Sequence, residues 1–263
     1  MKIWIVEQSV IRTGADEFEE AVRTSGAGVR WLSIDDEARG RYGRWDENDT
    51  VVFRGSFEAA ETFRISRPDA RPGVIGDQNL LKCSAYYPTV GPYLLNEEYV
   101  LIPLGDLRRL WPSLLQMFQA KALFVRPDSG AKAFTGQLIN DLDRFWSRER
   151  PYLESMAPSA LCVVARPREI EAEYRTVAVG GEIVAASLYK ANGQREISRD
   201  VGDNVLNFAK AVLKDIPPPA PAFMLDIAVE ADGRLSAIEL NAFSCSDFYA
   251  CDPAPIVEAI ARL

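Results

Sequence analysis

Residues 223–241, FMLDIAVEADGRLSAIELN, constrain the fold more than any other stretch, because two alternating runs flank an Asp-Gly pair. Such a pair is a strong hairpin signal, since a two-residue type I′ turn needs positive φ at both central positions. With Asp232 and Gly233 as the turn, Asp226 falls directly opposite Glu239, and Asn241 points the same way. Opposed side chains stand about 4.5–5.5 Å apart at Cβ, near enough for two carboxylates to share a cation. Leu225, Ile227, Val229, Ile238 and Leu240 form the other face, so one face is expected to pack and the other to bind. A solvated acidic face is the plain alternative. Against it, directly opposed like charges destabilise a sheet, and the one basic residue at hand, Arg234, points the other way. An external cation, Mg²⁺, is the expected remedy.

With 263 residues, 48% hydrophobic and 26% charged, the chain is long enough to bury real cores. Its net charge of −8 argues against nucleic acid or anionic lipid as partner. No apolar run approaches the roughly 20 residues of a membrane span, and Glu7 interrupts the start before a signal-peptide core develops, so a cytoplasmic location is expected. Histidine is absent, which removes every Ser-His and Cys-His pair. Cys83, Cys162, Cys245 and Cys251 lack C-x-x-C spacing and are expected as free thiols. Any catalysis rests on carboxylates, Lys, Arg, Tyr or a metal.

The first part of the chain alternates strand and helix signals: strands at 2–6, 29–34 and 50–53, and helices at 16–24, from Ser56, and at 106–118. That is α/β layering on a small parallel sheet. From residue 121 longer strands in antiparallel hairpins take over, with helices at 141–148, 203–214 and after Asp252-Pro253. The expected organisation is an α/β domain over 1–118 and a second domain over 119–263. Arg54-Gly55-Ser56, at a strand-to-helix junction, offers either an anion site on backbone N–H groups or ordinary capping by Ser56.

Two further stretches carry basic groups. In residues 169–190, Gly180-Gly181 supplies a turn that pairs Arg175 with Ala186, Glu173 with Leu188 and Glu171 with Lys190. This end of the face is either a cross-strand ion-pair patch or a wall offering Arg and Lys to phosphate oxygens. In residues 122–139 an apolar strand ends at Arg126, followed by a loop with Gly130, Lys132 and Gly136 and a return strand. The choice there lies between an anion cradle and a flexible hairpin; neither a Walker A loop nor G-x-G-x-x-G is present.

Taken in order, the basic loop, the strand at 161–165, E-x-R before a Gly-Gly hairpin, and D…E-x-N resemble the ATP-grasp superfamily. The stretches EYRTVAVGGEIVAASLYK and AIELNAFS are similar to its carboxylate-amine ligases, especially the ribosomal-protein glutamate ligase branch. The loop V-R-P-D-S-G-x-K-x-F-T-G is similar to compact bacterial and phage members, and the likeness covers about 121–252. The resemblance implies a small pre-ATP-grasp-like α/β domain on the substrate side, then two α+β subdomains, 119–165 and 166–263, enclosing ATP. Val163, Val164 and Ala165, running into Arg166, would be the adenine hinge, with Glu169, Glu171 or Glu173 gripping ribose. Arg126 and Lys132 would hold phosphates, and Arg175, Lys190 and Arg126 would serve the reacting groups. Asp226, Glu239 and Asn241 would hold Mg²⁺. Arg126 stands where the family has Lys, and the loop is glycine-poor. The implied activity is ATP- and Mg²⁺-dependent joining of a carboxylate to an amine through an acyl phosphate, on an amino acid or peptide. The alternatives are phosphoryl transfer to a hydroxyl and nucleotide binding without catalysis.

Overall fold

The computed structural model describes every residue except Met1, Arg12, Ile34, residues 37–39, Ala131 and Lys132. Lys132, an expected phosphate ligand, and Ile34, the end of an expected strand, therefore lie outside the described residues. The elements begin with β1 (Lys2–Glu7), α1 (Ala15–Thr24), β2 (Gly28–Leu32), β3 (Thr50–Arg54), α2 (Phe57–Ser66), β4 (Pro72–Val74) and α3 (Cys83–Val90). There follow β5 (Tyr99–Pro103), α4 (Leu107–Met117), β6 (Leu123–Pro127), β7 (Gln137–Ile139), α5 (Leu142–Leu153) and β8 (Leu161–Ala165). The last are β9 (Ile170–Val179), β10 (Glu182–Ala191), β11 (Gln194–Ser198), α6 (Asp203–Asp215), β12 (Ala222–Glu230), β13 (Leu235–Ala242) and α7 (Pro253–Ile260). The chain divides into two compact units, Met1–Asp77 with Ile170–Leu263, and Gln78–Glu169. Residue 118 falls inside the second of these.

The first unit holds two sheets. One is parallel, in the order β2-β1-β3-β4. Its central strand, IWIV, is buried throughout, as a strand covered on both faces requires. At the β3–α2 junction Ser56 caps the helix, its Oγ accepting from the Ala59 N–H at 3.1 Å. The Gly55 N–H donates to the Ser244 carbonyl and the Ser56 N–H to Glu7 at 2.6 Å. Those N–H groups already have acceptors, so the anion reading of this junction gives way to capping.

The other sheet is antiparallel, in the order β11-β10-β9-β12-β13. Its β12–β13 turn differs from expectation. Glu230 N–H donates to the Arg234 carbonyl at 2.9 Å, so three residues, 231–233, close the loop. Gly233, at φ 83, has the positive φ, and Asp232 does not. This is the three-residue loop with a glycine in the left-handed region. It pairs Ile227 with Ala237, one residue off the two-residue register. A bulge at Ile238 then restores the pairing of Asp226 with Glu239.

The β9–β10 hairpin turns at Gly180 and Gly181, both with positive φ, but its register also departs from expectation. Extra residues at Val184 and Tyr189 shift β10, so Arg175 faces Ser187, and Glu173 faces Lys190 in place of Leu188. Glu171 is not opposite Lys190.

The expectation that one hairpin face packs and the other binds is also corrected. Ala222 and Met224 share the face of Asp226, as every second residue must. They are buried in a core with Trp4, Phe18, Val177, Phe243, Phe248 and Ile256. Trp4 meets Phe18 edge-on at 5.3 Å between ring centroids, and Phe243 lies 5.6 Å from Phe248. The acidic row therefore begins where an apolar core ends.

The second unit is an antiparallel sheet, in the order β5-β8-β6-β7, with a core that includes Leu107, Trp111, Phe118, Leu123, Phe134 and Phe145. Helix α3 was not expected from the sequence. Its N–H groups are capped from β6–β7: Asp128 accepts the Ser84 N–H at 2.6 Å and Oγ–H at 2.9 Å, and its carbonyl accepts the Cys83 N–H. Among the described residues no helix is long and apolar enough to cross a membrane, and the four cysteines are free thiols.

Candidate functional site

One row crosses four strands of the five-stranded sheet: Ser187 on β10 faces Arg175 on β9, which faces Asp226 on β12, which faces Glu239 on β13. Directly opposed residues share a face, so the row is a single strip of side chains. Arg175 grips Asp226 with two parallel bonds, Nε to Oδ1 at 2.9 Å and Nη2 to Oδ2 at 2.7 Å. Its Nη1 donates to the Asp247 carbonyl at 2.8 Å. Asn241 Nδ2 donates to Asp226 Oδ2 at 3.3 Å. Tyr189 and Tyr249 stack at 4.9 Å and 12°, and the guanidinium carbon lies 4.9 Å from the Tyr249 ring centroid.

Asp226 is 1% exposed and Glu239 9%, which rules out a solvated acidic face. The charge argument for an external cation needs correcting, because Arg175, on the strand beside β12, already opposes Asp226. That neighbour is invisible when the hairpin is read alone. Burial works against the charge on Arg175, but the Asp226 carboxylate outweighs it and raises the guanidinium pKa. Burial, with Asp226 next, pushes the Tyr189 phenol well above its ordinary range.

Beside the row, Lys190 Nζ pairs with Glu173 at 2.6 Å, and the Tyr189 hydroxyl donates to the same carboxylate at 2.7 Å. The cross-strand ion pair is thus present between Glu173 and Lys190, while Arg175 turns to Asp226. Lys190 keeps 41% of its side chain exposed.

In the second unit Arg126 is buried on β6 opposite Val163. Val163, Val164 and Ala165 lie in β8 with β5 paired on one edge and β6 on the other. Their backbone groups already belong to the sheet, and the first backbone outside it is at 166–169. Gly136 is required by close approach: a Cβ there would sit 2.8 Å from the Phe124 ring and 3.1 Å from Arg126 Cβ.

Sequence reasoning missed Tyr189, Tyr249 and Asp247, and read Arg54 only as part of the junction at 54–56. Tyr189 adjoins Lys190 in the hairpin already read, a usable signal. Asp247 and Tyr249 lie in the irregular segment after β13, where no periodicity points to them. Arg54 is fully buried, and burial lowers its pKa to about 9, Asp247 offsetting part of the effect.

As donors, Asp226, Glu239 and the Asn241 amide oxygen are hard oxygens, the kind Mg²⁺ takes. No three His, Cys, Asp or Glu side chains among the described residues converge as a ready metal cage. A Mg²⁺ ion is commonly held by one or two carboxylates, and the directly opposed Asp226 and Glu239 offer two, so the residues present fit the ion.

The profile of the ATP-grasp domain, R2K clade family 3, matches residues 95–260, more than half of the chain. The chain belongs to that ATP-grasp family. Its fold is similar to that of D-cycloserine synthetase DcsG, with TM-score 0.66 and 17% identity over 100% of this chain and 99% of that one. It is also similar to the D-alanine-D-alanine ligase from Coxiella burnetii, with TM-score 0.63 and 12% identity over 100% and 96%. The macrocyclase MdnC from Microcystis aeruginosa, solved with its precursor peptide MdnA, gives TM-score 0.58 and 12% identity over 100% of both chains. At these identities the likeness shows the ATP-grasp fold. A comparison with curated protein sequences finds no match.

Proposed function

We propose that the protein is an ATP- and Mg²⁺-dependent ligase that joins a carboxylate to an amine, on an amino acid or peptide. The observation that carries the reading is the pairing of Asp226 with Glu239, both buried on one face of the sheet, with Asn241 two residues along on the same face. Support for the substrate class comes from the fold neighbours, which include an amino acid ligase and a precursor-peptide macrocyclase.

A carboxylate resists attack by an amine because it is anionic and lacks a good leaving group. Transfer of the γ-phosphoryl group of ATP to the carboxylate oxygen cures both, giving an acyl phosphate and ADP. The amine then attacks the acyl carbon, the C–N bond forms as the C–O bond to phosphate breaks, and the amine proton leaves with solvent. Asp226, Glu239 and Asn241 would hold Mg²⁺, which when bound would neutralise phosphate charge. Lys190, beside the row on the same sheet, is assigned to phosphate oxygens. Arg175 orients Asp226. Positioning and charge neutralisation need neither His nor a covalent nucleophile.

The test is incubation with ATP, Mg²⁺ and pooled amino acids or peptides, following ADP and free phosphate. Release of both with an amide product is expected. A stable phosphorylated product without free phosphate would mean phosphoryl transfer to a hydroxyl, and ATP binding without turnover would mean a nucleotide-binding protein.

A further inference from the structure

The segment after β13 is held from both sheets of the first unit. Arg175 takes the Asp247 carbonyl at 2.8 Å, as described. Arg54, the last residue of β3, donates Nη2 to the carbonyl immediately before it, that of Ser246. Its guanidinium carbon lies 3.4 Å from the centroid of the Phe248 ring and 5.3 Å from that of Phe243. Two guanidinium groups thus hold consecutive carbonyls, one from each sheet. Further along the segment, the Ala250 N–H donates to Ser187 Oγ at 3.2 Å, which returns the chain to the row.

Arg54 is poorly satisfied for a group so buried. It is 0% exposed, and its Nε and Nη1 have no hydrogen-bond partner, nor has the buried Oδ2 of Asp247. An apolar residue of similar volume would fill the same space without unpaired donors, but it would release the buried Ser246 carbonyl. What the arginine adds at this position is the hydrogen bond to Ser246. We propose that Arg54 is a positioning residue for the Asp226–Glu239 row. By fixing Ser246 it fixes the Asp247 carbonyl, against which Arg175 is braced while it presents Asp226. The proposal rests on the row being the Mg·ATP end of the ligase.

The test uses the full chain with Arg54→Met and Arg54→Lys. Both variants are expected to fold. Amide hydrogen exchange at 246–251 should become about tenfold faster in Arg54→Met, the sign of local opening, while the hairpin tip at 230–235 is unchanged. In calorimetry, the Mg²⁺ needed for half-maximal ATP binding should rise about 10–100-fold, the scale of a lost supporting contact, with metal-free ATP binding unaltered. Arg54→Lys should lie nearer the parent, since an ammonium still reaches Ser246 but cannot stack flat on Phe248. Unchanged exchange at 246–251 in Arg54→Met overturns the proposal. So does failure of both variants to fold, which would make Arg54 a stability element. A parent protein that binds no Mg·ATP overturns the ligase reading, and the exchange measurement still decides the role of Arg54.

Discussion

Arg175 holds both carboxylate oxygens of Asp226 from the neighbouring strand, and both side chains are almost wholly buried. Removing one member of such a pair leaves an uncompensated charge in the interior, which costs about 3–5 kcal/mol. Arg175→Met and Asp226→Ala should each lose that much in urea unfolding. Arg175→Met/Asp226→Ala should lose clearly less than the two added together. Additive losses would show that the two groups are not coupled. Asp226→Ala therefore tests fold and site at once.

Glu239 gives the cleaner probe of the metal end. Glu239→Gln keeps the volume and removes one charge. It should raise the Mg²⁺ requirement for ATP binding about 10–100-fold while losing less stability than Asp226→Ala. Titration of ATP with and without Mg²⁺ checks this, and an unchanged Mg²⁺ requirement would remove Glu239 from the site.

Gly136 lets the return of the basic loop pass over Phe124. A methyl group there would stand 2.8 Å from the ring, so Gly136→Ala should destabilise the chain by about 1–3 kcal/mol, the usual range for overpacking. Urea unfolding of the variant gives the number. Full stability would mean that the loop relaxes freely away from β6.

Burial pushes the thiols of Cys162, Cys245 and Cys251 up to about 12 from an ordinary 9.0. All three should resist a thiolate-directed reagent at pH 8 and react promptly once urea is added. The folded pKa is the raised one, so the unfolded chain ionises first as the solution turns alkaline. The contribution of these thiols to stability is intact below pH 9 and is lost between 9 and 12. Urea midpoints at pH 8 and pH 10 should fall in that order, and equal midpoints would contradict it.

The sequence carried the hairpins, the parallel start of the chain and the meeting of Asp226 with Glu239, because alternation and turn residues are local signals. Strand order is not local. Nothing near Asp226 announces that β9 lies beside β12, and so the pairing of Arg175 with the carboxylate is not legible from the hairpin. The slips at Val184 and Tyr189 are equally silent, since each adds a single ordinary residue to a regular run. Helix α3 escaped because its first turn is capped by Asp128, forty-odd positions away, and Pro88 interrupts its pattern.

The surplus residue at Ile238 has one more consequence. It sits between the tip of the β12–β13 ribbon and the acidic pair, so whatever register the tip imposes is corrected before the pair is reached. A change of one residue in that tip, which in an unbroken ribbon would turn the acids to the opposite side, can here be absorbed by losing or keeping the kink. The ribbon's end can therefore gain or lose one residue while the two carboxylates stay where they are.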